Sequence, residues 1–207
     1  MQSDDYGVIL RSAMSAVPFF APLATWWNEY NSTKNQQRVQ LFIDSFNAIA
    51  SCHSKELDTL KEDVSRNAER VAILEVTLDK VVKEWQEEKI KLHAQLAVQN
   101  LISDTPIQVK MSILERFSEL TVDDLNILAT LTQSPSVQVM DFHIPLETIV
   151  PILSKLESRG LITQTGHGYR TMWSAPATDD WQEQWANKFY TATPLGKQLW
   201  DAIKPIK

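Results

Sequence analysis

The sequence predicts a mainly α protein. A long, coiled-coil-like helical N-terminal region, straight or folded as a helical hairpin, is followed by a smaller C-terminal domain of short helices and a β-hairpin. Three observations predict this. Of five glycines only Gly7 precedes residue 160, so little interrupts a helix in the first half. Apolar residues recur at steps of three and four from Val39 to Leu92. Beyond Asp104-Thr105-Pro106 the pattern breaks into shorter segments bounded by Pro, Gly and Thr, which punctuate helices and strands.

The 207 residues, 43% hydrophobic and 22% charged, have room for two modest globular domains. Net charge is −6. Through residue 104 there are 11 Lys/Arg against 15 Asp/Glu, and afterwards 9 against 11, giving −4 and −2. Neither half has the cationic excess that drives nucleic-acid binding through counterion release. Cys52 is the only cysteine, so no intrachain disulfide or thiolate metal cluster can form, which fits a reducing cytoplasm.

The N-terminus opens with Asp4 and Asp5, and the apolar run behind them (GVILRSAMSAVPFFAPLATWW, 7–27) is broken by Arg11, Pro18 and Pro22. That is not the pattern of a cleaved signal peptide. Two readings of the run are open. It is a first helix buried against the rest of the chain, or it touches a membrane, with Phe19, Phe20, Trp26 and Trp27 as candidate contacts. The expected location is cytoplasmic or peripheral to a membrane.

From Val39 the stripe Val39, Phe42, Phe46, Ile49, His53 marks one helix face. From Leu57 the positions fit heptads. Leu57, Val64, Val71, Leu78, Trp85 and Leu92 occupy one core site, and Leu60, Asn67, Leu74, Val81, Glu88 and Gln95 the other. The phase slips between His53 and Leu57, where Ser51 and Ser54 offer caps, so a continuous helix and a hairpin both fit. In either case the stripe needs a cover: the N-terminal helix, a second copy or another protein. Asn67, Leu74 and Val81 are therefore candidate interface residues. The domain boundary is placed at residue 105, giving 1–104 and 105–207, with 107–120 as a connecting helix.

In the second domain Thr121-Val-Asp-Asp124 reads as a capping box opening a helix through Leu131, which Gln133-Ser-Pro-Ser136 ends. Thr148 reads as the cap of the next helix, with Pro151 in its first turn, Ile149, Ile152, Leu153 and Leu156 on its buried side, and Gly160 as its stop. A strand begins at Leu161. Gly166-His-Gly168 reads as a turn, Phe189–Ala192 as a returning strand, and Thr193-Pro194 as the start of a last helix.

The segments LSKLESRGLI (153–162) and YTATPLGKQLWDAI (190–203) resemble the winged-helix domains of MarR-like and PadR-like regulators over roughly residues 121–204. The whole chain is similar to bacterial proteins with an apolar N-terminal segment, a long helix and a C-terminal winged helix, which imply no particular activity. The resemblance implies that 148–159 is the recognition helix and 166–187 a long wing. The start of that helix, Thr148-Ile-Val-Pro151, offers little to bases or phosphates. Lys155, Arg159 and Arg170 are the candidate nucleic-acid contacts. Trp173, Trp181 and Trp185 accompany Asp179, Asp180 and Glu183 in the wing, a mixture more typical of a protein interface.

No catalytic constellation is legible. His53, His93, His143 and His167 are scattered without metal-ligand spacing, and Cys52-His53 reads as a buried thiol beside a helix-face histidine. No phosphate-binding loop is present, and Asp179-Asp180 with Glu183 reads as a solvated helix start. The expectation is a non-enzymatic interaction protein without cofactor, metal or small-molecule substrate. It would assemble through its long helix, as a homo-oligomer or with a protein partner, and dock a protein through its winged helix. Two alternatives stand beside it, a DNA-binding regulator and a membrane-acting protein of a bacterial defence or toxicity system.

Overall fold

A computed structural model of the chain describes residues 33–53, 68–167 and 185–204. It is mainly α, with a small three-stranded sheet near the C-terminus, and divides into two compact units, Met1–Ser118 and Glu119–Lys207.

The first unit is a helical bundle of α1 (Thr33–Cys52), α2 (Ala68–Lys83), α3 (Glu87–Ile102) and α4 (Ile107–Glu119). On α1 the steps of three and four bring Val39, Phe42, Ile43 and Phe46 to one buried face. On α2 the pairs Ile73/Leu74, Thr77/Leu78 and Val81/Val82 do the same. Thr77 is tolerated in the core because its hydroxyl donates to the Ile73 carbonyl one turn back, at 2.7 Å. Helix α3 is buried around most of its circumference, carrying His93, Gln95 and Asn100 inside along with its aliphatic residues. A helix enclosed in this way sits at the centre of its domain.

Helix α1 ends at Cys52 and α2 packs back along it, so the stripe is not one continuous helix; Ser54 and the residues up to 67 lie outside the described ones. The Arg38 guanidinium donates to the Val82 carbonyl at 2.6 Å, joining the start of α1 to the end of α2. A second reversal, which periodicity did not foretell, interrupts the heptad run at Glu84–Gln86. Trp85 was expected at a core site but stands 75% exposed at this turn. The physical reason is Glu84, whose Oε1 accepts from the Trp85 and Gln86 amides at 2.9 and 3.1 Å and so closes the turn. The described part of the stripe, from Val71 to Val81, is covered from within. Leu74, Leu78 and Val81 share one core with Val39, Phe42, Phe46, Ile90, Ala94 and Leu101. Cys52, expected to be buried, is exposed.

The second unit begins with α5 (Val122–Gln133), opened by a reciprocal capping box between Thr121 and Asp124. A two-residue strand β1 (Val137–Gln138) and a 3-10 turn (Val139–Phe142) follow, closed by His143 in the left-handed conformation. Neither was foreseen. Helix α6 (Leu146–Ser158) starts two residues before the expected cap, with Pro145 at the N-cap. Pro151 therefore lies inside the helix, not in its first turn, and has no N–H to give to the Glu147 carbonyl. At the other end Gly160 (φ +70°) donates to the Glu157 carbonyl at 2.8 Å and Leu161 to that of Leu156 at 3.0 Å, the two bonds of a Schellman stop.

Strand β2 (Ile162–His167) pairs antiparallel with β3 (Lys188–Ala192), which also pairs with β1, giving the sheet order β1-β3-β2. Gly166 and His167 belong to β2, paired with Phe189 and Lys188 past a register shift, where a turn was expected. Helix α7 (Pro194–Ile203) is capped by Thr193, whose hydroxyl accepts from the Gly196 amide at 3.1 Å. Leu125, Leu128, Leu153, Leu156, Tyr190 and Leu199 are among the residues that fill the core.

Candidate docking face of the C-terminal unit

Helix α6 buries Ile149, Leu153 and Leu156 and so turns Glu147, Thr148, Pro151, Ser154 and Glu157 outward. This follows from 3.6 residues per turn: the residues between the buried positions must face away. The outward side chains are small, uncharged or acidic.

Of the three cations expected to serve a nucleic acid, Lys155 and Arg159 are paired with carboxylates of the unit, and Arg170 lies outside the described residues. Lys155 Nζ lies 2.6 Å from Asp124 Oδ2, with the carboxylate only 4% exposed. Arg159 Nη1 lies 2.9 Å from Glu119 Oε2. Each pair is worth little to stability at a surface, of order 0–1 kcal/mol. Its effect here is on the local field. Lys155 and Arg159 are offset by Asp124 and Glu119, and the exposed Glu147 and Glu157 on α6 add two more negative charges to the helix. A phosphate backbone would be repelled, and it would have to displace Asp124 from Lys155.

At the end of β3 the Lys188 ammonium lies 3.5 Å from the centroid of the half-buried Trp185 ring, a cation–π contact that engages another positive charge. The Gln138 side-chain amide donates to the Ala186 carbonyl (3.2 Å) and the Asn187 side chain (3.3 Å), tying β1 to the chain entering β3. Behind α6, Tyr190 is fully enclosed and its hydroxyl has no hydrogen-bond partner. Burial, and then the Glu157 charge, push it up to about 12, so it stays neutral.

Of the residues singled out from sequence, the structure brings Lys155 and Arg159 onto α6 and Trp185 to the start of β3. Leu74 and Val81 lie in the first unit's core, where α1 and α3 cover them, so they are not an open surface. Arg170, Trp173, Trp181, Asn67, Phe19, Phe20, Trp26 and Trp27 lie outside the described residues. Among the described residues no group of His, Cys, Asp or Glu is arranged to hold a metal ion, and no helix is long and apolar enough to cross a membrane. Sequence reasoning missed Glu119 and Asp124 as ion-pair partners. The capping box flagged Asp124, but nothing local ties it to a lysine 31 positions away.

The first unit holds a second polar cluster that sequence reasoning missed. Glu84 and Lys89, nearly enclosed, form an ion pair at 2.8 Å, and Lys89 also donates to the Ser118 carbonyl at 2.8 Å. Glu84 is held below the usual carboxylate range. Burial alone would raise it, and the Lys89 hydrogen bond and the turn amides outweigh burial. His93, fully buried one turn along α3, packs edge-on against Phe117 at 4.6 Å. Neither ring nitrogen has a hydrogen-bond partner, and burial followed by the Lys89 charge pushes its pKa down to about 3. This cluster joins the α2–α3 turn to the end of α4. It is closed and internally satisfied except at the histidine.

Protein-family models, curated proteins and solved structures yield no match to this chain.

Proposed function

We propose that this protein is a non-enzymatic interaction module whose C-terminal unit is a winged helix that docks a protein partner through α6 and the adjoining hairpin. The winged-helix reading is supported by the order helix, short strand, 3-10 turn, helix, strand, strand, and by the sheet order β1-β3-β2. It is supported also by the Gly160 stop before β2 and by the Thr193-Pro-Leu-Gly196 step out of β3, the two features that resemble MarR-like and PadR-like domains.

The observation that carries the choice of partner is the pairing of Lys155 with Asp124 and Arg159 with Glu119. A recognition helix for duplex DNA needs its cations turned toward phosphates. On α6 they are turned toward carboxylates of the same unit. What faces outward is Thr148, Pro151 and Ser154 between two glutamates, a surface that suits a protein partner. The described part of the heptad stripe, Val71 to Val81, is packed by α1 and α3, which favours the C-terminal unit as the docking surface.

The test is affinity capture from the native host with the full-length protein, with and without nuclease. A partner retained after nuclease and lost on Pro151→Arg with Ser154→Arg supports the proposal. Capture that nuclease abolishes, or that the double variant leaves intact, overturns it.

A further inference from the structure

Helices α3 and α4 run antiparallel, and each is fastened to the other by a lysine of its first turn. Lys89 of α3 donates to the Ser118 carbonyl near the end of α4 at 2.8 Å. Lys110 of α4 donates to the carbonyl of Ser103, the C-cap of α3, at 2.6 Å. Both lysines are buried. A helix dipole disfavours a cation in its own first turn and favours one beside another helix's last carbonyls, so both placements serve the seam between the two helices.

Between the lysines the seam is poorly satisfied. His93 is fully buried edge-on against Phe117, and neither of its ring nitrogens has a hydrogen-bond partner. Asn100 lies seven residues on, on the same face of α3, and its buried Nδ2 has no partner either. The apolar core that joins α1, α2 and α3 runs through Phe42, Phe46, Leu78 and Ala94, and among its described members none belongs to α4. Two lysine caps and the Phe117–His93 contact fasten α4 to α3 outside that core.

The charges that act on His93 come from Lys89 on its own helix, Glu84 at the α2–α3 turn and Lys80 on α2. Among the described residues neither α1 nor α4 adds a charge that acts on it. The lysines repel a proton, and Glu84 is already engaged by Lys89 and by the turn amides. Helix α4 meets the ring with Phe117, which offers no oxygen or nitrogen. An imidazolium here would hold two N–H donors with nothing to receive them. Water receives them once Phe117 withdraws. The closed seam therefore excludes the proton and the open seam takes it, so acid favours opening.

We propose that α4 is an acid-released strap: proton uptake by His93 opens the α3–α4 seam while the core of α1, α2 and α3 stays folded. The seam suits this role because its fastenings are few and polar at both ends, and its centre carries a group that ionises only when exposed. Helix α4 is the last helix of the first unit, so its release frees the stretch of chain that leads into the second. This inference stands apart from the docking role of α6.

The test is native-state hydrogen exchange of the full-length protein at pH 7, 6 and 5, corrected for the intrinsic pH dependence of exchange. Amides of α4 should exchange through an opening at least about tenfold more frequent than that which exposes residues 39–46 of α1. The α4 opening constant should rise about 25-fold from pH 7 to 5, the ratio set by a ring pKa of about 3 when closed and 6.5 when open. His93→Leu should remove that rise, and so should His93→Gln, which keeps a polar side chain that cannot titrate and serves if the leucine variant does not fold. Lys110→Met should raise the α4 opening constant about tenfold at every pH and leave the acid rise in place. Protection of α4 equal to that of α1, an opening constant that does not change between pH 7 and 5, an acid rise that survives the loss of His93, or no effect of Lys110→Met would each overturn the proposal.

Discussion

The carbonyl oxygen of Leu161 occupies the space that a side chain on Gly196 would need. A Cβ built on Gly196 would collide with that oxygen, with the Leu161 carbonyl carbon at 3.0 Å and with Leu128 Cδ1 at 3.3 Å. The approach is held by Thr193, whose amide donates to the same Leu161 carbonyl at 3.0 Å and whose hydroxyl reaches both the Gly160 and Leu161 carbonyls. The stop of α6 and the start of α7 are thus one joint, with Gly196 admitting the backbone and Thr193 fastening it.

Replacing Gly196 by alanine should therefore destabilise the second unit by at least about 2 kcal/mol, because the obstacle is backbone and cannot rotate away. The other glycines calibrate the result. Gly160→Ala meets no atom within 4 Å but must hold φ +70°, and should cost about 1 kcal/mol. Gly166→Ala, with open space and an ordinary φ, should lie within about 1 kcal/mol of the wild type. Urea unfolding of the three variants checks the order. A Gly196→Ala as mild as Gly166→Ala contradicts the joint.

The Glu84–Lys89 pair should behave as a unit. Glu84→Gln keeps an acceptor for the turn amides but leaves the nearly enclosed ammonium without its countercharge, a loss of about 3–5 kcal/mol. Lys89→Met strands the carboxylate in the same way. The double variant should be less destabilised than the sum of the two, and a double-mutant cycle by chemical denaturation measures the coupling. Additive losses would mean that the pair contributes no interaction of its own.

His93 gives the first unit a dependence on pH whose sign is fixed by its surroundings. Its folded pKa, about 3, lies below the ordinary 6.5, so between those values the unfolded chain binds a proton that the folded chain refuses. Stability is complete above pH 6.5 and falls with pH at up to about 1.4 kcal/mol per unit, until the folded histidine itself protonates. Glu84, held below its ordinary 4.5, acts in the same direction but at lower pH, so the interval from 6.5 to 5 isolates the histidine. His93→Leu should flatten stability over that interval and raise it at pH 7 by about 1 kcal/mol, since two unsatisfied ring nitrogens leave the core. Unfolding midpoints of the variant that track the wild type from pH 7 to 5 would exclude this role.

Much of this fold was legible wherever its cause is local. The Thr121–Asp124 box, the Gly160 stop and the Thr193-Pro194 start each lie within a few residues of one another, and each forms where the spacing places it. The α2–α3 reversal was not legible because Trp85 and Leu92 keep one heptad site apolar across it, and the decay of the other site at Glu88 and Gln95 does not by itself mark a turn. The same residues that would pack a continuous coil, Leu74, Leu78 and Val81, pack equally well in a hairpin. Strand β1 has two residues, too few for any period to register. Pro151 was misplaced because a proline in the first turn and one inside the helix differ only in where the helix begins. On α6 the sequence displayed the cations, Lys155 and Arg159, but not their state. Whether a lysine faces a phosphate or an aspartate is decided by elements that meet only on folding.

The commitment of those two cations is best tested by titrating the full-length protein into a labelled DNA duplex, read by fluorescence anisotropy at about 50 mM and 200 mM salt. The pairing of Lys155 with Asp124 and Arg159 with Glu119 predicts no saturable binding at either salt concentration. Micromolar binding that weakens steeply as salt rises, and disappears on replacing Lys155 and Arg159 by alanine, would contradict it.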